Sequence, residues 1–412
     1  AGTVTSQGVR FDTETGLTLT GVRVTAPNGR LVLQAQRITA EVSIGKLLAD
    51  IVSIDAIEIT GLKASLRESK DGNFDLVEAF MPRQKSVSDG EKSGGGVRIQ
   101  RLSINNSEFE LRVPSASLVI RDLNIFGRLS VVDTLTARLR LNSGAITFRQ
   151  PARGEANLST VFRGIIVKEL RLDDQHIRIG KGSLRVDTDH RLALSGKVNT
   201  GADRIALDFD GRIPPRWLNR SLGAGESIPP MGAIQTQGRI RGAMSDPTVE
   251  FELSTTNVVL PSGAPRLSTF AAQGKYTSTK LFLSQVEAAT LGGSVKMSGT
   301  MAMDDRFESR LKGRLSNISL AAAEESMTPY GGRYTGMVTL QGPMLFSDTH
   351  PLSIQLDGQV DGFQIPSIGR RDVLIRGGIL QGDSILLQPT TLKTGRSTAK
   401  VEGPIYPRLA LG

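Results

Sequence analysis

Hydrophobic and polar residues alternate along nearly the whole chain. Val9-Arg10-Phe11, Leu17-Thr18-Leu19 and Val22-Arg23-Val24 begin the pattern, and Ala137-Arg138-Leu139-Arg140-Leu141 and Val249-Glu250-Phe251-Glu252-Leu253 continue it. A period of two puts successive side chains on opposite faces of a strand. The chain therefore predicts an all-β protein with on the order of 25 short strands and a few short helices. Asn28-Gly29, Asp71-Gly72, Asp89-Gly90, Asp210-Gly211, Asp357-Gly358 and Asp361-Gly362 supply turn signals, since such pairs accept the positive φ of tight hairpins. Asp210-Gly211 is expected to turn the strand at 205–209, and a Gly turn to separate strands at 354–357 and 360–363. Helical turns are expected at 45–50, after an Asn73 or Asp75 cap through Ala79, at 214–220 and at 319–327. The polar stretches 83–96 and 151–160 read as loops.

One hairpin occurs twice. Leu281-Phe282-Leu283-Ser284, a polar gap, and Val295-Lys296-Met297-Ser298-Gly299 return as Ile385-Leu386-Leu387-Gln388 and Ala399-Lys400-Val401-Glu402-Gly403, displaced by 104 residues at both ends. Each copy predicts an apolar strand, a turn, and an alternating strand that stops at Gly. Leu192-Ala193-Leu194-Ser195-Gly196 is a weaker third copy of the returning strand. Gly238-Arg239-Ile240-Arg241-Gly242 precedes the first copy, and a similar Gly-bounded strand ending at Gly342 precedes the second. Recurring multi-strand blocks indicate a repeat architecture. Pro229-Pro230 marks the boundary between an N-terminal region, 1–228, with a flexible loop at 83–96, and a region 229–412 built of units at about 230–330 and 331–405.

Composition narrows the function classes. Gly contributes 45 of 412 residues, above the usual ~7%, which suits many tight turns. The net charge of +9 favours anionic partners, nucleic acid or a membrane surface. The cations are dispersed, and one Trp and four Tyr offer few platforms for stacking bases, so nucleic acid is not expected as a partner. Cysteine is absent, which removes disulfides and thiolate metal sites. His176, His190 and His350 have no metal-ligand spacing and read as ordinary turn or surface residues. Asp203, Asp208 and Asp210 read as solvated strand positions, not calcium ligands. No nucleophile-elbow, phosphate-loop or zincin motif appears. The expectation is a non-enzyme without cofactor or metal, with a glycosidase-type carboxylate pair on a β-solenoid as the enzymatic alternative. There is no apolar run of about 18 residues and no signal peptide, so the chain reads as a fragment or mature piece of something longer.

The apolar stripes are the remaining candidates for function. They comprise Ile57 and Ile59, Leu192 and Leu194, Val249, Phe251 and Leu253, Leu281 and Leu283, Val295 and Met297, Ile354 and Leu356, and Ile385 and Leu387. Alternation alone is compatible with a filled sandwich core or with an open apolar trough.

Val42-Ser43-Ile44 with Leu47-Leu48, the run Ile59-Thr60-Gly61-Leu62-Lys63-Ala64-Ser65-Leu66, and Asp71-Gly72-Asn73-Phe74-Asp75-Leu76 resemble the N-terminal region of AsmA-like proteins. The segment 238–247 and Leu291-Gly292-Gly293-Ser294-Val295 are similar to repeats of AsmA-like and TamB-like bacterial envelope proteins. The resemblance implies an elongated repeat sheet curled into an open, apolar-lined groove, with the fifteen stripe residues as its lining. It implies phospholipids or other acyl lipids as cargo, moved between inner and outer membranes, and contact with a membrane surface and with partner proteins in either membrane. It further implies a periplasmic location, tethered to the inner membrane by a helix absent from this chain. A scaffold for outer-membrane protein assembly through exposed sheet edges is the alternative.

Overall fold

The computed structural model describes residues 2–12, 16–42, 51–68, 75, 79, 96–113, 116–132, 134–150, 158–173, 175–199, 201–217, 230–259, 266–303, 307–323, 331–344, 349–365, 369–382 and 385–405. Strand accounts for 81% of the described residues and helix for 3%, so the protein is all-β with few short helices. It divides into two compact units, Ala1–Ser227 and Ile228–Gly412.

In the first unit the strands are β1 (Thr3–Thr5), β2 (Gly8–Asp12), β3 (Gly16–Thr25), β4 (Leu31–Glu41), β5 (Ile51–Thr60), β6 (Lys63–Arg67), β7 (Gly96–Val113), β8 (Ala116–Val131), β9 (Leu135–Asn142), β10 (Ile146–Gln150), β11 (Leu158–Phe162), β12 (Gly164–Leu172), β13 (His176–Arg185), β14 (Arg191–Asn199) and β15 (Arg204–Ile213). Neighbours pair antiparallel, except that β5 and β6 both run parallel to β7. Several ladder positions are held by two short strands end to end. The pairs β1 and β2 both face β3, and β9 and β10 both face β8. The Ile-x-Gly-Leu strand of the sequence reading is broken in this way. Gly61 takes φ +65°, separating β5 from β6, and the buried Ser107 hydroxyl of β7 accepts the freed Leu62 N–H at 3.2 Å.

The second unit is a simple meander. Its strands are β16 (Ile234–Ala243), β17 (Pro247–Val258), β18 (Leu267–Tyr276), β19 (Lys280–Thr290), β20 (Gly293–Ala302), β21 (Glu308–Ser319), β22 (Arg333–Pro343), β23 (Leu352–Ile365), β24 (Gly369–Gln381), β25 (Ile385–Thr394) and β26 (Ser397–Ile405). Each pairs antiparallel with the next.

Turn chemistry worked at some glycines and not at others. Asn28-Gly29 turns β3 into β4, with Gly29 N–H donating to Ala26 O at 2.9 Å. Asp210-Gly211 does not turn the chain, because β15 runs through it and pairs continuously with β14. Asp357-Gly358 likewise lies inside β23, opposite Gly336. In both places the adjacent strand already saturates the backbone, and the glycine relieves a close approach instead. A Cβ on Gly211 would lie 2.1 Å from Arg191 O. Nor do the returning strands stop at Gly: β20, β26 and β14 continue past Gly299, Gly403 and Gly196.

Among the expected helices, Leu320–Ala323 forms one turn, capped by Ser319, whose hydroxyl accepts the Ala322 N–H at 3.3 Å. Residues 215–217 are helical, as are positions 75 and 79. The Asp75 carboxylate accepts the Arg67 N–H at 2.8 Å and pairs with Arg30 at 3.1 Å. The expected turns at 45–50, Asp71-Gly72 and Asp89-Gly90 lie outside the described residues, as do 83–95 and 151–157 of the loops expected at 83–96 and 151–160; the ends of those loops are strand instead, Gly96 opening β7 and 158–160 belonging to β11. No helix among the described residues is long and apolar enough to cross a membrane.

Candidate functional site

Strand register determines which side chains share a face, because residues directly opposite in a ladder project to the same side. In the second unit one row runs Phe251, Gly274, Leu283, Gly299, Leu311, Leu340, Ile354, Ile379, Leu387, Gly403 across β17 to β26. The row beside it runs Leu253, Ala272, Val286, Met297, Gly313, Val338, Leu356, Gly377. A third contains Phe270, Ala288, Val295, Leu315, Gly336, Gly358, Ile375, Leu392, Ala399. These rows carry no charged side chain. The intervening residues carry many: Glu252, Lys275, Glu287, Lys296, Lys312, Arg314, Asp357, Arg376 and Lys393 all project to the other side.

The first unit repeats the arrangement. Ile38, Ile59, Ile104, Ile125, Leu141, Val167, Gly182, Leu194 and Phe209 form one uncharged row across β4 to β15. Ala40, Ile57, Leu102, Gly127, Leu139, Leu170, Ile179, Gly196 and Leu207 form the next.

All fifteen stripe residues fall on these faces. Ile57, Ile59, Leu192 and Leu194 share the apolar face of the first unit. Val249, Phe251, Leu253, Leu281, Leu283, Val295, Met297, Ile354, Leu356, Ile385 and Leu387 share that of the second. All fifteen are half-buried. Other members of the same rows are fully buried, among them Val167, Ala272, Leu311 and Val338, as are Val32 and Val360, each 1% exposed. Val295 and Leu356 also pack against a local cluster of Ile318, Tyr334 and Val360, which Leu320 of the one-turn helix joins.

Continuity of the face depends on a device at the repeated hairpin. The apolar alternation on β19 changes phase, from Leu281 and Leu283 to Val286 and Ala288. One extra residue is accommodated there, since Leu283 faces Gly299 while Val286 faces Met297. The same irregularity follows Leu387 opposite Gly403, and Ile179 opposite Gly196. The three facing glycines have φ of +150°, +131° and +139°. A bulge inserts one residue and leaves later residues on the intended side. The polar gap of the sequence repeat therefore contains the bulge, and the repeated Gly is its partner.

Two Asp-x-x-His turns carry most of the perturbed ionisation. In Asp187-Thr188-Asp189-His190 the buried Asp187 carboxylate accepts from His190 Nδ1 at 2.8 Å, from the Asp189 and His190 N–H groups at 2.9 Å, and from Arg216 at 2.7 Å. Burial alone would raise its pKa, but these donors, led by Arg216, hold it well below the usual carboxylate range. In Asp173-Asp174-Gln175-His176 the bond from His176 likewise lowers Asp173. Sequence reasoning passed over both turns, although the duplicated spacing was available as a signal. Trp217 anchors the neighbouring segment, donating to Val161 O at 2.8 Å and stacking obliquely on Phe162 with centroids 5.2 Å apart. No group of three metal-ligating side chains is assembled among the described residues. The prominent chemical feature is instead the separation of an apolar face from a charged one.

No protein-family model matches the chain, and neither a characterised protein nor a solved structure does.

Proposed function

We propose that the chain binds acyl lipids along its apolar sheet faces and shields their hydrocarbon during transfer between membranes, with no catalytic residue involved. The observation that carries this reading is the uncharged lattice of half-buried and buried side chains spanning ten strands of the second unit, with the ionic side chains segregated on the opposite face. Hydrocarbon entering water loses ~0.8 kcal/mol per CH₂, so a sixteen-carbon chain faces a barrier of roughly 12 kcal/mol. A continuous apolar lining removes most of that cost at every point along the path, and needs no single essential side chain. An inward-curled face forming a groove would leave head groups in water. The resemblance to AsmA-like and TamB-like envelope proteins supports phospholipid as cargo and the bacterial periplasm as location.

Charge placed on the face tests the reading. Leu283→Asp and Leu387→Asp lie outside the Tyr334 cluster and keep their strands paired. Both variants are expected to lose most bound fluorescent acyl lipid while their far-ultraviolet circular dichroism stays that of the parent. Ser298→Asp, on the polar side, is expected to bind as the parent does. Parental lipid binding in both Leu variants would contradict the proposal.

A further inference from the structure

The polar face of the first unit contains an arrangement that folding alone does not favour. Arg128 of β8 lies opposite Arg138 of β9. Arg138 lies opposite Arg171 of β12, Arg171 opposite Arg178 of β13, and Arg178 opposite Lys197 of β14. Five cations thus occupy successive strands in one row, which at ~4.8 Å per strand spans roughly 19 Å. All five are exposed. Like charges directly opposite across a ladder are destabilising, and within this row only Arg171 has an ion-pair partner among the described residues, Glu169.

The rows alongside add to the charge. A depression is lined by Arg98, Arg128, Arg138 and Arg171. Another is lined by Phe126, Arg138, Arg140, Lys168 and Glu169. Nearby acids are few: Glu169 is taken by Arg171, and Asp173 is bonded to His176. Phe126 projects from the same face opposite Arg140 and is 47% exposed.

We infer that this cationic ladder is a docking surface for an anionic phospholipid bilayer. Phosphate groups offset the mutual repulsion of the row. Cations spread over adjacent rows suit a two-dimensional field of head groups better than a single polymer track. Phe126 supplies the aromatic group that settles at the boundary of head groups and acyl chains. The choice of a bilayer over another polyanion rests on the lipid reading above; the positive surface does not. Docking through the polar face leaves the apolar face unoccupied by the bilayer.

The full chain is sedimented with vesicles of phosphatidylglycerol and phosphatidylcholine in equal parts, and lipid that copurifies with each variant is quantified. Arg138→Gln/Arg178→Gln is expected to bind vesicles about 25-fold more weakly, at about fivefold per cation, with copurified lipid unchanged. Arg128→Gln/Lys197→Gln, at the ends of the row, is expected to behave the same way. Arg314→Gln/Lys393→Gln removes equal charge from the polar face of the second unit and is expected to bind as the parent. Undiminished binding in both ladder variants, or an equal loss in the control, would overturn the inference. So would ladder-dependent binding of linear polyphosphate with no binding to vesicles. A chain that carries lipid yet ignores vesicles overturns docking alone. A chain that docks through the ladder yet never carries lipid overturns the carrier reading and leaves docking standing.

Discussion

Individual glycines and one carboxylate carry much of the local stability. Gly299 combines φ +150° with a site where a Cβ would lie 2.0 Å from Arg310 O, so any side chain must displace a paired backbone. Gly299→Ala is expected to lower stability by about 1–3 kcal/mol, measured by urea unfolding. Gly336 and Gly358 face each other with the Tyr334 hydroxyl above them, and a Cβ on Gly358 would meet Gly336 Cα at 2.5 Å and the phenol oxygen at 2.7 Å. The ring occupies the room that two side chains would need. Asp187 contributes through ionisation. Its folded-state pKa is depressed, so its contribution is complete above the unfolded value of about 3.9 and is lost as pH falls through the acid range. Asp187→Asn is expected to cost about 1–3 kcal/mol at neutral pH. That difference from the parent should shrink as pH falls below about 4, and a pH-independent difference would show that the carboxylate's charge is irrelevant.

At the scale of the element, the repeated unit is a bulged hairpin. Deleting Ser284 removes the extra residue, so that Leu283 and Val286 become two positions apart and share the apolar face without a bulge. Hydrogen exchange in β18, β19 and β20 is expected to stay as slow as in the parent, whereas deleting Ser298 from the facing strand leaves Met297 and Gly299 adjacent, forces one apolar set off its face and accelerates exchange in β19, β20 and β21. Accelerated exchange after the Ser284 deletion, or unchanged protection after the Ser298 deletion, would mean that the one-residue bulge does not keep the apolar set on its face. The strand content was legible because alternation is local: Val249 to Leu253 already shows which residues share a face. The hairpin turn at Asn28-Gly29 was legible as well, because that pair accepts the backbone of a tight turn. What alternation did not show was pairing. The Asp210-Gly211 and Asp357-Gly358 dipeptides have the composition of turns, but their neighbours on adjacent strands hold them extended, and only the register reveals that. The meaning of Gly196, Gly299 and Gly403 was hidden likewise, because each glycine answers a bulge on the preceding strand. The fifteen stripe residues could be chosen from sequence, and their common face in each unit is a product of register. The cationic ladder was invisible for that reason too: Arg128, Arg138, Arg171, Arg178 and Lys197 form no run in the chain.

For the molecule as a whole, sidedness is the property that joins fold to function. Each unit presents an uncharged lattice on one face and ionic residues on the other, and the proposed activity resides in the extent of that lattice. Single conservative changes such as Ile354→Val or Leu356→Met should therefore leave lipid binding within about fourfold of the parent, since each removes at most about one methylene of apolar contact. Charges on the face should abolish it. The most direct measurement is mass spectrometry of solvent extracts from protein purified without detergent. Lipid carriage on these faces predicts phospholipid at one or more molecules per chain, lost in Leu283→Asp. Protein that emerges free of lipid, and that takes up none when offered vesicles, would contradict it.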